Sequence, residues 1–271
     1  MKIFKNKHTL QKEILSQNNI SFIPTMGGLH KGHISLIKKS KKKGGRVLVS
    51  IFINPKQFND KKDFNSYPRN ISRDLKILKR LNIDLLYLPN YHDIFSFRPK
   101  NKIYLHNFSK KLCGKSRKGH FAGVVNVVNR FLEIINPKYI FLGLKDFQQL
   151  YLIKSHIKKN NIKTKVVSCN TVRETNGVAC STRNNNLSKK ELFIASRVYL
   201  YLRNKKKLIK RNIKKNNFLK FNEDMDKIGV KKIDYIDFFC TKTLKKTNIK
   251  DRNLRLFIAY FINKIRLIDN V

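Results

Sequence analysis

The sequence predicts an α/β protein: a doubly wound parallel sheet followed by a smaller C-terminal α+β domain. Two observations support this fold class. Short apolar runs alternate with amphipathic helical patterns through residues 20–169, which is the arrangement that a parallel sheet with crossover helices requires. After about Thr175 the chain changes to polar turns, a basic helical stretch and two further apolar runs. We therefore divide the chain into domains at 1–175 and 176–271.

The predicted elements follow in chain order. Strands are expected at 20–23, 46–53, 85–88, 139–142 and 164–169, with a weaker strand at 102–106. Helices are expected at 32–43, 72–81, 124–135 and 147–159. In the second domain, a helix at 191–203 and a basic span to about Lys220, interpreted as a solvated helix or loop, precede strands at 233–239 and 256–260. Ligands of such sheets bind beyond the carboxyl ends of the strands, so residues that follow strands are the candidates for a site.

Length and composition fit this fold class. A chain of 271 residues with 41% apolar residues is long enough to bury a large core. The four cysteines lack C-x-x-C spacing, which argues against a zinc site or a disulfide framework and for a reducing compartment. No stretch approaches the ~20 apolar residues that a membrane span needs. We expect a cytoplasmic protein with no membrane partner.

The charge of the chain is unusually positive. Its formal net charge is +43, from 60 Lys+Arg against 17 Asp+Glu, and such an excess attracts polyanions. The lysines are spread from end to end, whereas a dedicated nucleic-acid-binding protein concentrates its charge on one face. We therefore expect nonspecific polyanion binding and no functional nucleic-acid partner.

Two histidines flank a glycine turn directly after the first predicted strand. The segment PTMGGLHKGH at 24–33 precedes a helix, so His30 and His33 lie at a helix N-terminus. Unpaired backbone N–H groups and the helix dipole favour a phosphate there, and Gly27, Gly28 and Gly32 let an anion approach the backbone. A histidine can donate a hydrogen bond to a phosphate oxygen whose charge grows during a displacement. For this motif by itself, a connecting loop with surface histidines is an equally good interpretation.

Five blocks of sequence in this order resemble the pantothenate synthetase family, ligases that join pantoate to β-alanine using ATP. They are FIPTMGGLHKGH at 22–33, VSIFINPKQF at 49–58 with YPR at 67–69, RKGHFAGV at 117–124, GLKDFQQ at 143–149 and TVRETNGVACSTRN at 171–184. The two histidines look like the HIGH-type signature of the nucleotidyl-transfer superfamily. The resemblance spans nearly the whole chain and implies a Rossmann-like domain that binds nucleotide and pantoate, a small C-terminal lid domain, and a homodimer to which the apolar strand at 47–53 or its neighbours contribute.

The resemblance also implies site residues. The residues expected to be catalytic are His33, His30 and Lys145. Gln57 and Gln149 are expected to hold pantoate, with Asn54 in the same loop as Gln57, which also meets β-alanine. The residues expected to bind ATP are Met26, Gly27, Gly28, Leu29, His30, Lys31, Gly32, His33, Gly143, Leu144, Lys145, Asp146, Val172, Cys180, Ser181, Thr182 and Arg183. Arg117 and His120 are expected to close over the site, and Leu144 and Asn176 depart from the family pattern.

The implied reaction has two steps. The pantoate carboxylate attacks the α-phosphorus of ATP, with Mg²⁺ carried mainly by the ATP phosphates. Diphosphate is released, and pantoyl adenylate is formed. The β-alanine amine then attacks the acyl group, giving pantothenate and AMP. No metal bound by protein ligands is expected, because the sequence shows no clustered His, Cys and carboxylate set.

Two other functions remain open at this point. One is a different adenylyl-transferring enzyme with the same nucleotide signature, which would leave the blocks around Gln57 and Gln149 unexplained. The other is a basic RNA- or DNA-binding protein that keeps an enzyme-like fold, which would bind polyanions in a salt-sensitive way and show no turnover.

Overall fold

The structure is a computed structural model that describes residues 1–210, 220–247 and 253–271. It divides into two compact units, Met1–Val172 and Arg173–Val271. The first unit contains a six-stranded parallel sheet in the order β1-β4-β3-β2-β5-β6. Its strands are β1 (Lys2–Phe4), β2 (Ile20–Thr25), β3 (Arg46–Ile51), β4 (Leu85–Tyr87), β5 (Tyr139–Gly143) and β6 (Lys165–Cys169).

Helices connect these strands and cover both faces of the sheet. They are α1 (Lys7–Ile14), α2 (Lys31–Lys41), α3 (Lys61–Asn65), α4 (Ile71–Arg80), α5 (Tyr91–Phe95), α6 (Cys113–Ser116), α7 (His120–Ile135) and α8 (Phe147–Lys159). Short 3-10 turns lie at Pro55–Gln57, Asn107–Lys110 and Leu144–Asp146.

The strands are apolar on both sides, as strands buried between two helical layers must be. In β3, Leu48 packs into one core with α1, α7 and α8, while Val47 and Val49 pack into a second core with α2 and α4. This separation follows from the two-residue period of a strand, which points alternate side chains to opposite faces. The predicted doubly wound α/β fold is therefore confirmed.

The second unit is built around an antiparallel sheet. Its strands β7 (Lys232–Cys240), β8 (Leu254–Ile262) and β9 (Ile265–Asn270) pair in that order, beside α9 (Lys189–Lys210) and α10 (Phe221–Ile228). On α9, Ala195, Val198 and Leu202 form an apolar stripe in one core with β8 and β9. The small C-terminal α+β domain is thus confirmed. Among the described helices, none combines the length and the apolar character that crossing a membrane requires.

Several predicted elements needed correction. The predicted helix at 191–203 is the middle of the longer α9, and β1, α1 and β9 were not predicted. The part of the predicted basic span at 211–219 lies outside the described residues. β3 lies between β2 and β4 with both faces packed against helices, and the expected contribution of the strand at 47–53 or its neighbours to a homodimer stays a prediction.

The weaker strand predicted at 102–106 is absent, because side chains hold this segment instead of a neighbouring strand. The Glu133 carboxylate accepts the N–H groups of Lys100 and Asn101, each at 3.0 Å. The Tyr104 N–H donates to His156 Nδ1 at 3.2 Å. The segment is therefore bound to α7 and α8 through polar side chains.

His156 is the most deeply buried member of this network. Its ring has no exposed surface, and its Nε2 lies 2.9 Å from Asn129 Oδ1. Because Nδ1 accepts the Tyr104 N–H, Nε2 carries the proton and donates to Asn129. Burial lowers the pKa of His156 to about 4, although the nearby Glu133 charge opposes the shift.

This burial predicts a loss of stability in mild acid. The pKa of His156 is lower in the folded state than in the unfolded chain. Its contribution to the free energy of unfolding is therefore fully present above pH 6.5 and is lost as the pH falls toward 4. The maximum loss from this group is roughly 3 kcal/mol. We expect urea unfolding to show a smaller loss between pH 6.5 and 4 for His156→Gln than for the wild type. Parallel curves for the two proteins would contradict this.

Candidate active site

The order of the strands places a crevice between β2 and β5. From β2 the chain runs outward through β3 and β4, whereas from β5 it runs the other way to β6. Helices that leave adjacent strands toward opposite faces separate at such a switch point and open a ligand crevice at the carboxyl ends of the strands. The glycine loop at 26–29 follows β2, and the segment with Lys145 follows β5.

His30 and His33 cap the helix that starts this site. His30 is the N-cap of α2, and its Nδ1 accepts the Gly32 N–H at 3.1 Å. His33 Nδ1 lies 3.4 Å from the His30 backbone nitrogen and accepts its N–H. The two rings are close, with centroids 4.1 Å apart. This is a capping box built from two histidines.

The caps determine where each ring carries its proton. Because Nδ1 accepts a backbone N–H in both rings, each imidazole in its neutral form holds its proton on Nε2 and can donate a hydrogen bond to a ligand. Burial lowers the pKa of His33 well below its ordinary value, and the nearby charges of His30 and Lys145 lower it further. His33 is therefore a neutral hydrogen-bond donor at pH 7.

The backbone of the glycine loop does not provide the anion cradle that the sequence suggested. The Gly27 N–H donates to Thr25 Oγ1 at 3.2 Å, and the Gly28 and Leu29 N–H groups donate to Asp74 at 2.8 Å. These amides are used by the protein's own acceptors. Binding of an anion at this loop stays a prediction, and it falls on side chains such as His30, His33 and Lys145.

Gln57 lies in the loop that follows β3, within reach of the glycine loop. Its Nε2 is 2.8 Å from Met26 Sδ, and its Oε1 accepts from Asn54 Nδ2 at 3.3 Å. Asn54 is buried, donates also to the Gly123 carbonyl at 3.1 Å, and accepts the Lys56 N–H. Gln57 is thus held in the crevice, while the polar atoms of Asn54 are engaged with protein.

The RKGHFAGV block at 117–124 binds the backbone of the loop that contains Gln57. His120 Nδ1 donates to the Gln57 carbonyl at 2.7 Å, and an Arg117 nitrogen donates to it at 3.2 Å. At Gly123, an added Cβ would lie 2.2 Å from the Lys56 carbonyl oxygen, so the helix can approach the loop only with glycine there. The predicted closure by Arg117 and His120 stays a prediction; in the structure both hold the backbone of Gln57.

The segment after β5 supplies a cation and two glutamines. Lys145 has a largely buried side chain whose Nζ lies 3.7 Å from Asp146 Oδ1. Gln148 is buried, and its amide binds the carbonyls of Phe108 and Lys111, each at 2.7 Å, and the Cys113 N–H. Leu144, which departs from the family pattern, packs against the core next to α7 and α8.

The residues Ser181, Thr182 and Arg183 belong to the second unit. Ser181 Oγ accepts the Arg183 N–H at 3.3 Å and caps a 3-10 turn at Thr182–Asn186. Just before it, the Cys180 thiol donates to Glu174 Oε1 at 3.1 Å. The Oδ1 of Asn176, which departs from the family pattern, accepts the Val178 N–H at 3.1 Å.

An ion pair braces this part of the second unit. The Arg173 guanidinium binds both oxygens of Asp269, at 2.7 and 2.9 Å. Its central carbon lies 4.1 Å from the Tyr199 ring centroid. The pair raises the pKa of Arg173, although burial opposes the shift. Arg173 and Asp269 therefore join the TVRE block to the C-terminal strand, a role that the sequence did not reveal.

Within the described part of the chain, no three His, Cys, Asp or Glu side chains come together in a group that could hold a metal ion.

Comparison with known proteins assigns the family. The family model for pantoate-beta-alanine ligase matches residues 2–271. The chain belongs to the pantoate-beta-alanine ligase family. The pantothenate synthetase of Francisella tularensis subsp. mediasiatica is 38% identical over 270 residues, covering 98% of this chain and 94% of that protein.

Solved structures of this ligase family have the same fold. Pantothenate synthetase from Thermus thermophilus aligns with 100% of this chain and 99% of its own, at a TM-score of 0.92 and 28% identity. The ligase from Francisella tularensis, complexed with beta-gamma ATP and beta-alanine, aligns with 100% of this chain and 97% of its own, at a TM-score of 0.83 and 38% identity.

Two adjacent glutamines of this ligase family member should behave differently. Gln148→Ala removes three hydrogen bonds and leaves buried backbone groups unpaired, so we expect a loss of about 2–4 kcal/mol in the free energy of unfolding. Gln149→Ala, the matched control, should cost less than about 1 kcal/mol, because that side chain is partly exposed. Urea unfolding measures both, and equal losses would refute the distinction.

The charge of Lys145 should be visible in the titration of His33. Because this cation lowers the pKa of His33, we expect Lys145→Met to raise that pKa. Ring-nitrogen NMR across pH 4–8 measures the shift. Lys39→Met, a lysine near the other end of α2 whose amine binds the Ser168 carbonyl, is the control. An unchanged His33 titration in Lys145→Met would show that the two groups do not interact.

Proposed function

We propose that this chain condenses pantoate with β-alanine at the expense of ATP, giving pantothenate, AMP and diphosphate through pantoyl adenylate. The observation that carries the proposal is the crevice itself, in which a histidine pair, a lysine and a glutamine are held by one parallel sheet. Membership of the pantoate-beta-alanine ligase family supports it. The complexed Francisella ligase supports ATP and β-alanine as substrates.

The first step is adenylation of pantoate. A carboxylate oxygen attacks the α-phosphorus of MgATP, and the bond from that phosphorus to the bridging oxygen of diphosphate breaks with its electron pair. The Nε2–H groups of His30 and His33 donate to phosphate oxygens as charge builds up, and Lys145 contributes a positive charge. A neutral His33 contributes as a fixed donor and need not transfer a proton.

The second step is transfer of the pantoyl group. The β-alanine amine attacks the acyl carbon, the bond to the AMP oxygen breaks, and the nitrogen loses a proton as the amide forms. Gln57 and Gln149 bind pantoate through neutral amides, which match a hydroxyl and a carboxylate without adding a repelling charge. Holding the reacting groups together supplies much of the acceleration, since no side chain forms a covalent bond.

The second unit carries a further set of candidate phosphate-binding groups. Ser181, Thr182 and Arg183 offer two hydroxyls and a guanidinium on a short turn, a set suited to phosphate oxygens. Mg²⁺ enters as part of the MgATP substrate. The proposal also includes a homodimer, which the family resemblance supports. It includes a cytoplasmic location, which the cysteine usage supports.

The reaction is tested with nuclease-treated protein, MgATP and pantoate, with and without β-alanine. AMP and pantothenate in equal amounts, both dependent on β-alanine, are expected. Diphosphate released from MgATP with no formation of pantothenate, whether or not β-alanine is present, would indicate another adenylyl-transferring enzyme. No AMP under any condition, together with salt-sensitive binding of nucleic acid, would favour a polyanion-binding protein instead.

The histidine pair should be essential to this reaction. His33→Ala removes a fixed donor at the phosphates, so we expect kcat to fall by about 10²- to 10³-fold. His8→Ala is the matched control, because His8 is an exposed histidine on α1, outside the crevice. Steady-state kinetics compare the two variants, and a His33→Ala enzyme within threefold of the control would exclude this role.

A further inference from the structure

Asp74 is a buried carboxylate that binds no cation in the described structure. It lies on α4 with 1% of its surface exposed, in a chain that carries 60 Lys+Arg. Its Oδ2 accepts the Gly28 N–H and its Oδ1 accepts the Leu29 N–H, both at 2.8 Å. Charged acceptors form stronger hydrogen bonds than neutral ones, so this double contact is a firm anchor for the loop.

The loop that Asp74 holds has an unusual backbone. Gly27 and Gly28 have φ angles of +79° and +61°, a left-handed pair that other residues adopt only with strain. A Cβ added to Gly27 would lie 2.9 Å from Asp74 Oδ2 and 3.1 Å from Ile51 Cγ2. The carboxylate therefore packs directly against the turn, and it limits the positions that the loop can take.

The anchored residues lead straight into the histidine pair. Leu29, held by Asp74, is followed by His30, whose backbone N–H donates to His33 Nδ1. A shift of Leu29 would move His30 and break the capping box that keeps the protons of both rings on Nε2. The Asp74 carboxylate thus influences the positions of His30 and His33 through the backbone of the glycine loop.

We propose that Asp74 is a positioning residue, whose carboxylate orients the glycine loop so that His30 and His33 present their Nε2–H groups to the ligand phosphates. This inference rests on the proposed function. It explains why the N–H groups of Gly28 and Leu29 point toward α4. It also assigns a role to a residue that lies outside every motif considered in the sequence.

The chain offers a matched control in Asp93. This carboxylate is also buried and also binds two groups, the Lys7 N–H at 2.9 Å and the Tyr87 hydroxyl, but it holds α1 and α5 instead of the glycine loop. Substitutions of Asp93 therefore report the cost of losing a buried carboxylate with its partners, without touching the crevice.

The test compares Asp74→Ala, Asp74→Asn and Asp93→Ala by kinetics. Misplacing a catalytic group by about 1 Å costs ~10²-fold, so we expect kcat to fall by that factor in Asp74→Ala. Asp74→Asn keeps one acceptor and should give an intermediate rate. Asp93→Ala should retain the wild-type rate even if its melting temperature falls as much as that of Asp74→Ala.

Ring-nitrogen NMR of the histidines tests the positioning without relying on turnover. In the wild type, His30 and His33 should show the Nε2–H form, and Asp74→Ala should mix the two neutral forms while Asp93→Ala does not. A wild-type ring pattern together with a rate within threefold in folded Asp74→Ala would overturn the proposal. If the wild type makes no pantothenate, the proposed function fails, yet the NMR comparison still decides the role of Asp74.

Discussion

The reversal of strand order between β2 and β5 is the constraint on which the first unit depends. Parallel strands end at the same edge of the sheet, and at this point the connecting helices leave toward opposite faces. The glycine loop and the Lys145 segment therefore stand on either side of one crevice. No contact between the two loops themselves is required to place them, because hydrogen bonding of β2 to β5 already does so.

The candidate catalytic groups are also parts of the scaffold. His30 and His33 close the N-terminus of α2, so their tautomers are fixed by the same hydrogen bonds that start the helix. Lys145 acts on His33 through its charge, which favours the neutral ring. A site of this kind has little freedom to reorganise, and preorganised donors are the most effective means of stabilising charge that develops in a reaction.

Many residues in the recognisable motifs support the site and do not face it. Gln148 ties the start of α8 to the segment around Phe108, and Gly123 gives the backbone of α7 room beside the loop of Gln57. In the second unit, the ion pair of Arg173 and Asp269 joins the TVRE block to β9, although the two residues are far apart in the sequence. A sequence block therefore mixes groups that touch ligand with groups that hold the loops in place.

The sequence by itself determined the alternation of strands and helices, the small C-terminal domain and the family resemblance, because apolar periodicity and motif composition are local properties of a chain. It missed β1, which is short and mostly exposed, and it misplaced a strand at 102–106, whose backbone is held by side chains of α7 and α8. Only the tertiary structure decided that the loop amides face Asp74, 45 and 46 residues away, and that Asn54 binds Gly123, 69 residues away. Such partners are selected by packing across the sheet, and nothing in the local sequence specifies them.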